Sequence, residues 1–213
     1  MAAATTVRTP RQERALRTRQ AIVTAAAFEF SRRGYASTTS KTIALRAGVA
    51  VGSLYQYFRD KDQILREIAR ERAERIAAST VALLEAPEDN EAVPVDSAKQ
   101  TLRLVVLAVL DAHRSDPGLH AVLTERRHCD PELDGLTSEF EEDMVRRTQL
   151  LLEDWGHKGD CLATAFVLFA LVEGAVHSHV LGHAMVDDHR LIDSLTAALL
   201  QVAFPSPLLA TEA

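Results

Sequence analysis

The sequence predicts an all-α protein in which a small N-terminal helix-turn-helix domain of three helices precedes a larger helical domain. Apolar residues make up 47% of the 213 residues, aromatic residues make up only 5%, and glycine occurs nine times, a composition that favours helices over sheet. Apolar side chains recur at helical spacing, as Ile22, Ala26 and Phe30 do. The third observation is the stretch 38–65, whose pattern predicts two short helices around a tight turn, followed at once by another helix.

The turn of this stretch is centred on Gly48, which can adopt the left-handed conformation that ends a helix. Thr39 can cap the helix before the turn, because its hydroxyl can accept a hydrogen bond from a backbone N–H. The helix after the turn covers residues 52–58, where Leu54 and Phe58 are four residues apart and face inward. Its outer face is small, polar and aromatic, which suits insertion into the major groove of DNA.

Helical patterns and turn residues divide the rest of the chain. We predict helices over 13–33, 61–84, 96–113, 119–126, 131–155, 160–183 and 187–204, with an acidic, proline-bearing break over 85–95. These elements predict four segments: a disordered basic tail (1–12), a helix-turn-helix domain (13–60), a helical ligand-binding and dimerisation domain (61–205) and a flexible tail (206–213).

Charge is distributed unevenly along the chain. Residues 1–61 hold 11 Lys and Arg against 3 Asp and Glu, a net charge of +8, whereas residues 62–213 hold 13 against 27, a net charge of −14. A basic N-terminal part on an acidic body is typical of a modular DNA-binding protein. Basic residues can also form a solvated face without a partner, but beside a helix-turn-helix the DNA-binding interpretation is the better one.

A family resemblance extends over roughly 50 residues at fixed spacing, far more than a bare helix-turn-helix pattern. It is carried by Thr39, Ile43, Ala44, Ala47, Gly48, Val49, Gly52, Ser53, Leu54, Tyr55, Tyr57, Phe58, Lys61, Asp62 and Leu65, and further back by Arg19, Ile22, Ala25, Ala26, Phe30, Gly34 and Tyr35. In this order they resemble the DNA-binding domain of TetR-type transcriptional repressors. Two positions depart from the family pattern. Ser40 stands at a usually apolar position, and Ala50-Val51 stands where the family often has Ser-Lys.

The helix-turn-helix residues divide by chemistry into phosphate contacts and base contacts. We expect phosphate contacts from Thr39, Lys41, Arg46, Tyr57 and Lys61, and base contacts from Val51, Gly52, Ser53 and Gln56. Gln56 can pair bidentately with adenine, and Val51 can touch a thymine methyl group. Tyr55 lies at the helix edge, where it can contact DNA or pack into the core. Thr39, Tyr57 and Lys61 match DNA-contacting positions of the resembling family.

The resemblance also implies a small-molecule pocket within the C-terminal helices. The candidate lining residues are Val105, Phe140, Met144, Phe166, Phe169, Ala170, Glu173 and His177. Apolar stripes of this kind are equally expected of an ordinary core. Glu173 and His177, four residues apart, can orient a polar group of a ligand or form a structural pair.

The last helix carries more apolar residues than one core-facing stripe requires, and a surplus apolar face calls for a partner. In the resembling family the last two helices of two subunits form a four-helix bundle, which implies a homodimer here. The candidate interface residues are His179, Leu191, Leu195, Ala198, Leu199 and Val202. The alternative is that these residues form a wholly intramolecular core.

Other features of the sequence bear on compartment and chemistry. Two cysteines do not make a disulfide framework, and the first 14 residues lack the apolar core of a signal peptide, so we expect a cytoplasmic protein. The apolar stretch 161–172 is too short to span a bilayer and predicts a buried helix.

Neither catalysis nor metal binding is favoured by the sequence. His179 and His183 have a spacing that can chelate a metal, but no Cys-x-x-Cys or clustered acidic residues accompany them, and we expect no metal and no cofactor. No Gly-rich phosphate loop, Gly-x-Ser-x-Gly or His-Glu-x-x-His occurs, so we expect no enzyme.

The sequence thus predicts a homodimeric, sequence-specific transcriptional regulator, a repressor that a small, largely apolar effector releases from a palindromic operator in double-stranded DNA. One alternative is a regulator without a small-molecule effector. Another is a metal-binding or stress-sensing helical module whose DNA-binding part is vestigial.

Overall fold

The computed structural model describes residues 10–84 and 94–205, and this part of the chain is all-α, as predicted, with nine helices and no strand. The helices are α1 (Pro10–Ser37), α2 (Ser40–Ala47), α3 (Val51–Leu54), α4 (Lys61–Leu84), α5 (Val95–Ser115), α6 (Pro117–Arg127), α7 (Pro131–Asp154), α8 (Cys161–Leu181) and α9 (Asp188–Ala203).

The ends of α1 differ from the predicted ones. The helix begins at Pro10, a residue suited to a first helical position because it needs no N–H donor there, so residues 10–12 of the predicted disordered tail are helical. The rest of that tail and the predicted tail 206–213 lie outside the described residues. Gly34, with φ of 72°, interrupts the helical conformation at the predicted end of the first helix.

The chain folds as two compact units. Of the described residues, 10–70 and 118–133 form the head unit, and 71–84, 94–117 and 134–205 form the body unit. The head unit is therefore larger than the predicted domain 13–60, because it includes the start of α4 and nearly all of α6. The chain passes between the units three times: within α4, at the start of α6 and within the first turn of α7.

Residues of six helices, α1, α2, α3, α4, α6 and α7, form the core of the head unit. Its fully buried side chains include Ile22 and Phe30 of α1, Ile43 of α2, Leu54 of α3, and Ile64 and Leu65 of α4. Leu119 and Val122 of α6 and Leu133 of α7 complete the same cluster.

Residues 118–133 are held in the head unit by close packing and by ion pairs. A Cβ atom at Gly118 would lie 2.4 Å from the backbone oxygen of Ser31, so only glycine allows α6 to approach α1 this closely. Arg66 of α4 donates to Asp130 at 2.9 Å, and Asp130 also caps α7 by accepting the backbone N–H of Leu133 at 3.2 Å. The Arg66 guanidinium contributes to holding the pKa of the Asp130 carboxyl below its usual range, against the effect of burial.

The core of the body unit is formed mainly by α5, α8 and α9, with α7 contributing residues near its end. Leu102, Val106, Val109, Leu110, Leu151, Leu152, Trp155, Ala165, Leu168, Val172, Val176, Ile192, Leu195 and Leu199 are among its buried residues. Asp160 caps α8 by accepting a hydrogen bond from the N–H of Ala163 at 3.0 Å. Asp187 caps α9 through the N–H of Arg190 at 3.0 Å.

An ion-paired group joins three helices of the body unit. Asp188 at the start of α9 accepts hydrogen bonds from Arg114 of α5 and, at 2.9 Å, from His179 of α8. The Arg114 hydrogen bonds, followed by that from His179, lower the pKa of Asp188 to about 2. His179, a candidate dimer-interface residue, is thus hydrogen-bonded within its own body unit.

Helix α8 is more exposed than the buried helix that the sequence predicts. By length and composition it could cross a membrane, with a mean hydropathy of 1.7 in its most apolar stretch, a property that core helices of soluble proteins share. Only 22% of that stretch is buried. Ala165, Leu168, Val172 and Val176 face the core, and the opposite apolar face is open.

Gly118→Ala tests the close approach of α6 to α1. The added methyl group would meet the Ser31 backbone, so we expect the free energy of unfolding to fall by about 1–3 kcal/mol in urea denaturation. Gly135→Ala in α7 is the matched control, because its methyl group would meet nothing within 4 Å and should raise stability slightly. Equal effects of the two substitutions would contradict the packing described here.

Candidate functional site

The helix-turn-helix of the head unit is fixed by local hydrogen bonds. Thr39 accepts the N–H of Thr42 at 3.2 Å, and Thr42 Oγ1 accepts the N–H of Thr39 at 3.1 Å, so the two residues form a reciprocal cap at the start of α2. Gly48, with φ of 69°, ends α2 in the predicted left-handed conformation. The N–H of Val49 then donates to the carbonyl of Ala44 at 3.0 Å and closes the turn.

Helix α3 is shorter than the predicted helix over 52–58. It covers Val51–Leu54, and a turn continues the chain to Tyr57, where the N–H of Phe58 donates to the carbonyl of Leu54 at 3.0 Å. Ala50 at the start of α3 has no side-chain oxygen that could cap the helix. Gly52 lowers helix propensity further, so the helix lacks local support.

The candidate base contacts and their neighbours lie mostly at the surface. Val51, Gly52, Tyr55 and Gln56 are exposed, and Ser53 is half-buried. Tyr55 is 53% exposed, so its ring projects to solvent and is not part of the core. The surface formed by α3 and its following turn is therefore free to meet a partner.

The candidate phosphate contacts fall into two groups. Thr39 and Lys41 at the start of α2 are exposed, and no tertiary interaction of their side chains is seen in the part of the chain that the structure describes. Tyr57 is half-buried against the head core. Arg46 and Lys61, in contrast, are held by other groups of the head unit.

Lys61 is bound to the end of α1. Its ammonium group donates to the carbonyls of Tyr35 at 2.9 Å and Thr38 at 3.1 Å and lies 3.9 Å from the centroid of the Tyr35 ring. Burial lowers the pKa of Lys61. An ammonium group has three donors, so at most one remains for a phosphate oxygen.

The same cluster includes two further charged groups. Tyr35 donates its phenolic hydrogen to Asp62, and burial together with this hydrogen bond raises the pKa of Tyr35 well above its usual range. Arg126 of α6 contacts the same two residues: its guanidinium lies 4.1 Å from the Tyr35 ring centroid and 3.4 Å from the Asp62 carboxylate. Tyr35 is thus the point where α1, α4 and α6 meet within the head unit.

Arg46 is held against α1 by the buried carboxylate of Glu29, which also pairs with Arg33 at 3.0 Å. Its guanidinium lies 3.7 Å from the ring centroid of Phe28.

Leu45 was not among the candidate site residues, but it is 81% exposed on α2. No charge or motif marks this residue, and only the helix orientation reveals its exposure.

The body unit contains a cavity with about 750 Å³ of free space, its open mouth included. Its lining residues are Ile76, Thr80, Leu84, Thr101, Leu102, Val105, Val109, Phe140, Met144, Thr148, Leu151, Leu152, Trp155, Leu168, Phe169, Val172, Glu173 and Leu199. The cavity therefore lies between α4, α5, α7, α8 and α9 and is almost wholly apolar.

Five candidate pocket residues line this cavity, namely Val105, Phe140, Met144, Phe169 and Glu173. The other three do not. Phe166 and Ala170 are exposed on the outer face of α8, because the core-facing positions of this helix are 165, 168, 172 and 176. His177 lies one turn beyond Glu173 and packs edge-on against His113, with ring centroids 6.2 Å apart.

Several lining residues were not anticipated from the sequence. Thr80 is buried on α4, Thr148 belongs to α7, and Trp155 directly follows α7. The threonines can be recognised in the sequence as hydroxyls within apolar helical faces. Trp155, at the end of a predicted helix, carries no such signal.

The candidate dimer residues of α9 mostly face inward. Leu195 and Leu199 are buried in the core of the body unit, and Val202 packs against that core. Leu191 is half-buried, and only Ala198 is exposed. The apolar surface that remains open lies on α8, formed by Leu162, Ala163, Phe166, Val167, Ala170, Leu171 and Gly174. We call it the α8 outer face.

Comparison with known proteins gives matches in both parts of the chain. A family model for bacterial regulatory proteins of the tetR family matches residues 22–68, and a model of a tetracyclin repressor-like C-terminal domain matches residues 99–201. The HTH-type transcriptional regulator HbdR of Aromatoleum sp. (strain CIB) is 51% identical over 47 residues. That match covers 22% of this chain and only 20% of HbdR.

Solved structures with a similar fold cover nearly the whole chain. A TetR-family transcriptional regulator from Mesorhizobium loti has a TM-score of 0.71 at 21% identity, over 89% of this chain and 96% of that one. The fatty acid degradation regulator FadR from Bacillus halodurans has a TM-score of 0.67 at 23% identity, over 92% of this chain and 97% of that one. At these identities the likeness concerns the fold.

Lys61→Met and Lys41→Met separate the two groups of candidate phosphate contacts. Loss of the Lys61 ammonium leaves two carbonyls without their donor, so we expect the free energy of unfolding to fall by about 1–2 kcal/mol. The exposed Lys41 should change stability by less than about 0.5 kcal/mol. Urea denaturation followed by circular dichroism measures both, and equal stability of the two variants would show that the Lys61 hydrogen bonds contribute nothing.

Proposed function

The chain belongs to the TetR family of transcriptional regulators, with a DNA-binding helix-turn-helix, and we propose that it is a homodimeric repressor which a small, largely apolar effector releases from a palindromic operator. One observation carries this proposal. The same chain combines an exposed helix-turn-helix surface in the head unit with an apolar cavity in the body unit. The protein would act in the cytoplasm, where the DNA of a bacterium is found.

In the proposed complex, the surface of α3 and its following turn reads bases. Gln56 would pair with an adenine, and Val51 would touch a thymine methyl group, while Tyr55 is exposed beside them. Gly52 and Ser53 present little bulk, which allows close approach of the backbone to the bases.

Phosphate contacts would come first from the start of α2. Thr39 and Lys41 are exposed there, beside the backbone N–H groups of the first turn. Tyr57 and Lys61 would contribute from the other side of α3, Lys61 with its one remaining donor. The role of Arg46 would require its guanidinium to leave Glu29 or to contact phosphate from that position.

The α8 outer face is the proposed dimer interface. Phe166 is 62% exposed, and Leu162, Val167 and Leu171 are exposed on the same face. Ala163, Ala170 and Gly174 between them would allow the backbone of a second copy to approach closely. A contiguous exposed apolar surface is costly in water, and a second copy of the chain would cover it. A dimer also matches a palindromic site with half-sites about 34–36 Å apart.

Effector release would follow from the continuity of α4. The first part of α4 contributes Ile64 and Leu65 to the head core, and its last part contributes Ile76, Thr80 and Leu84 to the cavity wall. A ligand that displaces the last part of a rigid helix also displaces the first part. DNA and effector would then each weaken the binding of the other by the same factor.

Selection of bound fragments from the source genome by the purified protein tests the operator. We expect recovery of one palindromic site, and recovery of no preferred sequence would contradict a specific regulator. With that site, Gln56→Ala should change the preferred base at one position of each half-site, because it removes a bidentate contact. Competition binding with single-base variants of the operator measures the change.

Lys41→Ala is the matched control for Gln56→Ala, the substitution of the proposed base-contacting residue. It removes a phosphate contact, so it should weaken binding about equally for all sequences and lower the log–log salt slope by ~1 per site. If Gln56→Ala kept the wild-type base preference at every position, or if Lys41→Ala altered that preference, the proposed division between base and phosphate contacts would be wrong.

Phe166→Glu tests the dimer interface. A carboxylate in the centre of the α8 outer face would be buried without a partner in the dimer, so we expect a monomer at micromolar concentration in size-exclusion chromatography with light scattering. Operator affinity should fall at least tenfold because two heads no longer bind together. Leu104→Glu on the exposed side of α5 is the control and should remain dimeric. A dimeric Phe166→Glu variant would place the interface elsewhere.

A further inference from the structure

The only charge that the described residues place on the cavity wall is negative. Among the residues that line it, Glu173 is the one ionisable group, and three threonines and the indole N–H of Trp155 provide the remaining polar side-chain groups. No lysine, arginine or histidine is part of this lining. A ligand with a carboxylate or phosphate group would find no cationic partner on the wall, and an anion without a partner is costly to bury.

Two of the three hydroxyls can only accept hydrogen bonds from a ligand. Thr80 Oγ1 donates to the carbonyl of Ile76 at 2.8 Å, and Thr148 Oγ1 donates to the carbonyl of Met144 at 2.9 Å. Because a carbonyl cannot donate, the hydroxyl hydrogens are already used, and lone pairs remain. Together with the carboxylate of Glu173, these two hydroxyls give the wall three side chains that accept hydrogen bonds, and they complement a ligand that carries donors.

Glu173 is open to such a ligand. Its side chain is 37% exposed, and one oxygen lies 3.5 Å from His113 Nε2. The buried Arg72 donates to the carbonyl of Ala112 at 2.7 Å. Burial lowers its pKa, and Asp116 opposes this effect more strongly than Glu173 does. Arg72 does not line the cavity, so it offers no anchor for an anionic ligand.

The aromatic part of the wall also favours a cation. Phe140, Phe169 and Trp155 all line the cavity, and the faces of aromatic rings attract ammonium groups. Trp155 is held in place by Phe204, with ring centroids 5.7 Å apart and an angle of 21° between the planes. Carboxylate, hydroxyl lone pairs and aromatic faces therefore point to the same ligand chemistry.

We propose that the effector is a lipophilic amine, an apolar molecule whose protonated amino group donates to the Glu173 carboxylate while its body fills the apolar cavity. This inference rests on the proposed function, because it names the ligand class of the same effector site. It excludes long-chain carboxylates as effectors, because they have an equally apolar body but the opposite charge. Glu173 is the residue that determines this specificity.

Three ligands with the same ten-carbon chain isolate the head group: decylamine, decanol and decanoate, each below its micelle concentration at pH 7. The amine is protonated and the acid is ionised under these conditions. Trp155 is the single tryptophan of the chain and lines the cavity, so its fluorescence reports binding directly. We expect decylamine to bind at least about tenfold more tightly than decanoate, with decanol between them.

Glu173→Gln keeps the size of the side chain and removes its charge. We expect it to weaken decylamine binding about tenfold and to leave decanol binding unchanged, which also shows that the cavity is intact. Glu142→Gln, on the exposed side of α7, is the matched control for the loss of one negative charge and should behave as the wild type. Release of the selected operator by decylamine, measured in the same variants, should follow the binding affinities.

The outcomes distinguish this inference from the proposed function. If decanoate bound as tightly as decylamine, or if Glu173→Gln kept the preference for the amine, the ligand class would be wrong while the effector site would stand. If none of the three ligands produced saturable quenching of Trp155 while the operator was still bound, the effector site itself would be refuted, and this inference with it.

Discussion

The whole arrangement depends on α4 remaining one unbroken helix. Its first turns close the core of the head unit through Ile64, Leu65 and Ile68, and its last turns form the cavity wall through Ile76 and Thr80. Between these ends the helix contains neither glycine nor proline, the residues that most often bend helices. Residues of the head core and of the cavity wall thus belong to one helix, and the proposed coupling of DNA and effector would depend on it.

Local chemistry could be predicted well from the sequence. The cap at Thr39 and the left-handed Gly48 depend on residues within a few positions of each other, and both are present in the structure. The length of α3 was overestimated, because inward spacing of Leu54 and Phe58 is compatible with a helix and with a turn alike. Ala50, which has no side-chain oxygen, leaves the start of α3 without a cap.

Orientation could not be predicted for helices that are apolar on every side. On α8, Phe166 and Phe169 have the same chemistry, but one points to solvent and the other into the cavity. On α9, Leu195 and Leu199 were expected at a surface and lie in the core. Periodicity cannot choose between two apolar faces, and only packing against α5 decides which one is buried. The net charge of the head was similarly ambiguous, since Arg46 and Lys61 serve internal contacts as well.

The inclusion of residues 118–133 in the head unit has a consequence for how the protein is made. Leu119, Val122 and Leu133 belong to the core that α1, α2 and α4 begin, although the whole of α5 is synthesised in between. During translation, the core of the head unit therefore stays incomplete until more than half of the chain has left the ribosome. A fragment that ends after α4 would keep the same unfinished surface permanently. The head is for this reason not a portable module, and exchanging it between relatives requires that α6 be transferred with it.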